Sequence, residues 1–416
     1  MEQEESQGII KNPTSKNTFK MIAFENAFNQ VVQHTLDLGN ETVALLNSTG
    51  RILSEDIKAD RDFPPFNRST KDGIVIAFSA IEKGITRFKI EGVLSAGMPQ
   101  QSLSTETNCL EIMTGAVLPK QADTIVMYEE TEIEDGWATL KNIPKKGQNI
   151  HGQGSEEQKG AILLKKGTEI TAAAIGVLAS VGKKDVLVKK LPKICVVSTG
   201  NELVEIHETP LPHQIRKSNS LSLAAALEKV KIIPTLLHIA DDKKTIETEL
   251  EKAFSKYDVV MLSGGVSKGK FDFIPDALAN LGIEKIFHRV AQRPGKPFWF
   301  GIQKEKQKVV FSFPGNPVST FANYHVYFLP WLKKSLGLEV EKESVILDEA
   351  IQPHPSLTLF IQVTTQWKEG KLLAKTIKGN GSGDLVSLAL ADGFIRVPQG
   401  GEEIAQNTVF DFIVAS

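Results

Sequence analysis

Cysteine is scarce in this chain: Cys109 and Cys195 are the only two in 416 residues, and they stand far apart in no CxxC or metal-ligand spacing. The eight histidines include no HxxxH pair. A zinc site therefore has no support, and so few thiols suit a reducing compartment. Charge of one sign is also missing, since 48 Lys plus Arg face 50 Asp plus Glu for a net −2. Without a basic excess to track a phosphate backbone, nucleic acid is not an expected partner. No run reaches the roughly 18 apolar residues that a membrane span requires. The opening Met-Glu-Gln-Glu-Glu-Ser lacks the basic and apolar regions of a signal peptide. The expectation is a soluble, cytoplasmic protein with no membrane contact, preceded by a loosely held leader of about 17 residues. GxSxG and GxxxxGK[ST] are absent, so covalent catalysis and P-loop hydrolysis lack a motif. What remains is positioning and electrostatic chemistry on an anion, assisted by a metal.

What is present is glycine placed directly after apolar runs. Three such turns fall between Asp258 and Ser319: Ser263-Gly264-Gly265-Val266-Ser267, Arg293-Pro294-Gly295-Lys296-Pro297 and Pro314-Gly315-Asn316-Pro317-Val318-Ser319. Glycine reaches positive φ cheaply, so successive N–H groups can converge on an anion, and a following helix start adds partial positive charge. Any one of these turns alone is equally well a chain reversal. Their clustering points to a phosphorylated or otherwise anionic ligand.

The length supports two to four domains at roughly 150 residues each. Apolar spacing from Phe19 to Gly39 predicts a helix, and the small-residue stretch from Thr171 to Gly182 a second one that pairs with it. Between Ala59 and Gly154, short β-rich runs read as a domain of their own. From Lys193 onward, strands and helices alternate: strands at 193–198 and 232–238, helices at 218–230 and 243–255, and a strand ending at Leu262. Such alternation predicts a parallel sheet with helices on both faces. Two further strands lead to a long helix ending near Gly337, and runs beyond Val340 predict a small all-β tail. The fold class is therefore α/β and multidomain, with a central three-layer αβα domain and a mostly parallel sheet.

Carboxylates follow the predicted strands: Glu202 after the first, Asp241 and Asp242 after the second, Asp272 beyond the Gly-Gly turn. In an open α/β sheet these positions share one edge, where ligands bind. Mg²⁺ takes one or two carboxylates together with phosphate oxygens, so the set suits a metal held against an anion. Helix capping is the plainer alternative for Asp242 and Asp272. Arg289, Arg293 and Lys296 form the basic counterpart, with a solvated loop as the alternative. Asn316 and Pro317 can open a helix as N-cap and first helical residue, leaving N–H groups for an anion.

These motifs, with Pro64–Gly73, Ile112-Met113-Thr114-Gly115-Ala116, Ala122–Val126, Gly147–Ile150 and Ser198-Thr199-Gly200-Asn201-Glu202-Leu203, resemble the molybdopterin molybdenumtransferases, or molybdenum insertases, typified by MoeA and the E domain of gephyrin. The resemblance runs from about Phe19 to the C-terminus. It implies four domains: an elongated dimerisation domain (18–60 with 157–191), a strand-rich domain (61–156), a molybdopterin-binding α/β domain (192–338) and a C-terminal β domain (339–416). It further implies a homodimer with active sites shared between subunits, acting on molybdate and adenylylated molybdopterin. The implied reaction is Mg²⁺-dependent, releases AMP, and involves contacts with molybdoenzymes or an adenylyltransferase. Carried over by position, Asp72, Thr114, Glu202, Asp242 and Asp272 are catalytic, and Glu202, Asp242 and Asp272 hold the metal. Ser263, Gly264, Gly265, Ser267, Arg289, Arg293, Lys296, Pro314, Gly315, Asn316 and Pro317 bind the ligand.

The chain also departs from the family pattern. Ser69-Thr70-Lys71-Asp72-Gly73-Ile74-Val75 stands where Ser-Ala-Met-Asp-Gly-Tyr-Ala is usual, and Glu111 replaces an arginine. His151 replaces another, and two arginines are absent near Leu357 and Gln362. Fewer cations weaken capture of a dianion. Two alternatives accordingly stay open: a paralogue with adenylyl-transfer or pyrophosphatase-like activity, and a non-catalytic pterin-binding scaffold.

Overall fold

The computed structural model describes residues 21–265 and 273–415. Ser267, Asp272 and the leader lie outside them. The chain forms two units, one of residues 40–189 and the other of residues 1–39 with 190–416.

In the first, a six-stranded sheet runs in the order Thr124–Met127, Gly73–Ile76, Asn108–Ile112, Arg87–Leu94, Trp137–Leu140, Thr131–Glu134. Only Arg87–Leu94 and Asn108–Ile112 are parallel neighbours. Gly73–Ile76 sits inside the sheet with every residue buried, which is why its sequence is uninterruptedly apolar rather than alternating. Away from this sheet, Asn40–Ala44 pairs antiparallel with Asp185–Lys189. Beside that pair lies helix Ala172–Ser180, whose N-cap Thr171 accepts the Ala174 N–H at 3.2 Å. Ala174 and Leu178 bury against Leu53, Ile170 and Val186.

The expected pairing of this helix with the amino-terminal one is not what forms. Helix Phe24–Gln33 buries Phe24, Ala27 and Val31 in the other unit. There Phe24 meets Phe360 edge-on at 5.1 Å, and Trp331 Nε1 donates to His34 O at 2.8 Å. An apolar stripe specifies that a helix docks, not where. The aromatic content of the other core decides the matter, because each buried Phe or Trp contributes about 2–3 kcal/mol.

The central sheet of this second unit has six strands: β1 (Ile194–Thr199), β2 (Thr235–Ile239), β3 (Val259–Ser263), β4 (Glu284–His288), β5 (Trp299–Gln303) and β6 (Lys308–Phe313), in the order β2-β1-β3-β6-β5-β4. The pairings β1–β2, β1–β3 and β3–β6 are parallel, while β5 runs antiparallel to both β6 and β4. Helices α1 (Asn219–Lys229), α2 (Lys243–Lys256), α3 (Ile274–Asn280) and α4 (Pro317–Asn323) complete the layers. β1 and β3 are buried at every position. Ile194 and Val196 enter one core with Met261 and Phe311; Cys195 and Val197 enter the other with Ile246 and Leu250. This is the three-layer arrangement expected of an alternating sequence.

The long helix expected up to Gly337 is continuous but not uniform. After α4, Tyr324–Phe328 takes π-helical hydrogen bonding before Leu329–Ser335 resumes the α form. Pro330, which has no N–H to give, stands at that return. In the tail, Glu343–Leu347, Thr358–Lys368, Lys371–Thr376, Gly393–Val397 and Val409–Val414 close on themselves, because Thr358–Lys368 pairs with both Lys371–Thr376 and Gly393–Val397. A short helix, Leu385–Leu390, joins this small barrel.

Candidate functional site

Register places the turns. Ser198 pairs with Ser263, Thr199 with Ile239, and Ser263 with Phe313. The segments beginning at Gly200, Ala240, Gly264 and Pro314 therefore leave the sheet side by side. Because β5 is antiparallel, its first residue, Trp299, lies beside Ser312 and His288. The Arg293–Lys296 loop thus reaches the same rim from the opposite chain direction.

Two cavities open along this rim. The smaller, about 330 Å³, is lined by Thr199, Gly200, Glu202, Lys217, Asn219, Asp241, Ser263, Gly264, Gly265, Gly315 and Pro317, among others. The larger, about 900 Å³, is bordered by Arg293–Pro297, Pro314–Asn316, Ser319, Gln362, Gly379 and Ser382, with further residues of the barrel. Gly315 borders both. Glycine is required in the Gly-Gly turn: φ is +69° at Gly265, and a Cβ there would stand 2.6 Å from Ile274 Cγ1.

The basic loop is held from beneath by a buried polar network. Tyr327 Oη donates to Gln292 Oε1, and Gln292 Nε2 donates to Asn323 Oδ1 at 2.8 Å and to Pro294 O at 3.0 Å. Asn323 Nδ2 in turn donates to Gly295 O at 3.3 Å. Gln292 and Asn323 are fully buried, whereas Arg293 and Lys296 are exposed at the cavity. Gln292–Arg293 also pairs with Thr358–Leu359 of the barrel, fixing the loop from a second side.

The helix start after β6 forms as expected, with Asn316 at the N-cap and Pro317 in the first turn. Its donors are partly taken, however. Asn316 Nδ2 donates to Ser382 Oγ at 2.7 Å and Val318 N to Ser382 O at 3.1 Å.

Several expected site residues go elsewhere. Asp242 caps α2, its Oδ2 accepting from Thr245 N at 2.8 Å and Thr245 Oγ1 at 2.7 Å. Those bonds hold its carboxyl below the usual carboxylate range, and it lines neither cavity. Its neighbour Asp241 does, exchanging backbone-to-side-chain bonds with Asn201 at 3.2 and 3.3 Å. Arg289 adopts φ +76° with a buried Nε lacking a partner, and it too borders neither cavity. Of the trio Glu202, Asp242 and Asp272, Glu202 lines the smaller cavity, Asp242 is a cap, and Asp272 lies outside the described residues. Among the described residues no group of three His, Cys, Asp or Glu is placed to hold a metal. Glu202 and Asp241 are the carboxylates that share the smaller cavity.

Asp72 and Thr114, in the other unit, are bonded to each other. Asp72 Oδ1 accepts from Thr114 N at 2.6 Å and Oγ1 at 2.7 Å, which lowers its pKa. Glu111 accepts from Tyr128 Oη at 2.8 Å.

The motif reading missed Asn219 and Lys217, and it named Asp241 among the sheet-edge carboxylates without carrying it into the site assignment. Asn219 Nδ2 donates to Gly315 O and Ser263 Oγ, tying two of the turns together. Lys217 pairs with Glu205 beside the smaller cavity. Gln362, on the larger one, keeps a buried Nε2 without a partner. The available signal was position alone, since Lys217 and Asn219 immediately precede and open α1.

The fold and site define an α/β protein with a rim of glycine turns and basic side chains, fused to a strand-rich region and a small barrel. Residues 22–182 match the model of the MoeA N-terminal region (domain I and II), 195–334 that of a "probable molybdopterin binding domain", and 344–415 that of the MoeA C-terminal region (domain IV). The chain is 36% identical to a molybdopterin molybdenumtransferase of Synechocystis over 94% of its own length and 99% of the relative's. It is 33% identical to one of Bacillus subtilis over 86% of each. It superposes on the molybdopterin biosynthesis MoeA protein of Pyrococcus horikosii with a TM-score of 0.80 at 30% identity, covering 95% of this chain and all of that one. The chain belongs to the MoeA family, the molybdopterin molybdenumtransferases of molybdenum cofactor biosynthesis.

Proposed function

We propose that the protein transfers molybdate to adenylylated molybdopterin and releases AMP. One observation carries this reading: strand register brings the Gly200, Asp241, Gly264 and Pro314 turns and the Arg293–Lys296 loop to a single rim, with Gly315 between two cavities. A ligand that joins a pyrophosphate to a second anionic reaction partner needs two adjoining anion sites. Arg293 and Lys296 attract oxyanions, and the prolines and the Gln292–Asn323 network keep them preorganised. Amides of the Gly264-Gly265 turn would receive phosphate oxygens.

Glu202 and Asp241 fit a Mg²⁺ ion that completes its shell with water and substrate phosphate. When bound, it neutralises charge on the phosphates during cleavage. Asp242, expected in that role, would act only through the start of α2. Asp72 and Thr114 are proposed to contribute to the site of a second copy in a cytoplasmic homodimer, and the four-domain division is proposed with them. No helix among the described residues is long and apolar enough to cross a membrane.

The test supplies purified protein with Mg²⁺, molybdate and adenylylated molybdopterin and measures nucleotide products. Molybdate-dependent AMP release is expected. In a parallel assay with ATP and molybdopterin, ATP consumption would instead indicate adenylyl transfer, and no turnover in either assay would contradict both enzymatic readings.

A further inference from the structure

Asn219 lines the smaller cavity, and its amide is held in one orientation. Its Nδ2 donates to Gly315 O at 2.7 Å and to Ser263 Oγ at 2.9 Å. Thr320 Oγ1 lies 3.5 Å from the same nitrogen, but its own hydrogen is directed to Pro314 O at 2.5 Å. An amide nitrogen has two hydrogens, and a carbonyl can only accept. Flipping the amide would set oxygen against Gly315 O, so the wall allows one orientation. Both donors are thereby used. Oδ1 remains, without a hydrogen-bond partner among the described residues and not sealed in the core.

The surroundings restrict what Oδ1 can receive. Asn219 is half-buried on the wall of a cavity of about 330 Å³, close to the lower size at which pockets enclose small ligands. Glu202 and Asp241 on the same wall favour cations. A neutral carbonyl beside the Gly264-Gly265 turn accepts an N–H without repelling a nearby phosphate, which a carboxylate in its place would do.

We propose that Asn219 is a specificity-determining residue whose Oδ1 accepts an N–H from a fused nitrogen heterocycle of the ligand, a pterin or an adenine ring. This rests on the functional reading above, which supplies both rings.

The test measures affinity of the full-length protein for AMP and for 6-hydroxymethylpterin, each beside an analogue whose exocyclic amino group is dimethylated. Wild type and Asn219→Leu are compared. The wild type is expected to prefer one parent ring over its dimethylated analogue by about tenfold, the worth of one such bond. Asn219→Leu is expected to lose that preference, and the ring affected identifies the one that is read. Asn219→Asp, which keeps an acceptor oxygen, should retain the preference even if overall affinity falls. If Asn219→Leu weakens parent and analogue equally and still prefers the parent, the residue only props the wall and the proposal fails. It fails equally if the affinities of Asn219→Leu match those of wild type. If wild type binds neither ring, the functional reading fails and this inference with it.

Discussion

Asp241 and Asp242 are adjacent aspartates placed at the same sheet edge, yet one lines the cavity and the other caps a helix. Asp241→Ala should therefore cut turnover at least tenfold with little change in melting temperature. Asp242→Ala should lower the melting temperature and leave turnover within a few-fold, because the lost bonds are to Thr245. Steady-state kinetics and thermal denaturation of the two variants check this. A second residue, His325, is buried with Nδ1 bonded to Phe321 O at 2.9 Å, and burial pushes its pKa down to about 4, with Lys229 adding repulsion. Its folded pKa lies below the unfolded value, so the unfolded chain takes up the proton first. Stability should fall as pH drops from about 6.5 towards 4, by about 1.4 kcal/mol per pH unit from this group, and then level off. Urea unfolding across that window should show a smaller loss in His325→Gln than in wild type. At this scale the sequence was informative where side chain and backbone conspire in a motif: Ser263, Gly264, Gly315, Arg293 and Lys296 all reach the rim. For Asp242 it offered both metal binding and helix capping, and capping is what forms; it was silent on contacts made over long separation, as for Asn219 with Gly315.

Among the elements, the Arg293–Lys296 loop owes its position to residues far from it in sequence. Asn323, fully buried on α4, bonds both Gln292 and Gly295. Asn323→Ala removes both bonds and leaves the Gln292 amide and the Gly295 carbonyl short of partners. Destabilisation of about 1–3 kcal/mol should follow, with weaker oxyanion binding than the loss of stability alone explains. Chemical denaturation paired with molybdate titration measures both effects. The strand and helix sequence of the central sheet was legible because β1, β3 and β6 are each built on a run of three or four apolar residues and helix-like segments separate them. The strand at 284–288 passed unnoticed, as Glu-Lys-Ile-Phe-His at a sheet edge carries only two apolar residues. The docking of helix Phe24–Gln33 was hidden for a different reason: periodicity defines its buried face, but partner choice depends on an aromatic cluster assembled from residues 287 to 360.

For the whole molecule, ordered motifs spaced along the chain revealed the family, and strand alternation revealed the class of the central domain. The composite site is less visible, since it depends on the antiparallel strand β5, which returns the basic loop to the rim where the parallel strands end. No local pattern announces that reversal. The central claim is that these loops act as one anion site with Gly315 at its midpoint. It is tested most directly by an anomalous difference map, at the molybdenum edge, of crystals soaked with molybdate and AMP. The account predicts molybdenum in the larger cavity beside Arg293 and Lys296, and the AMP phosphate at the Gly264-Gly265 turn. Molybdenum or phosphate located away from that rim would contradict it.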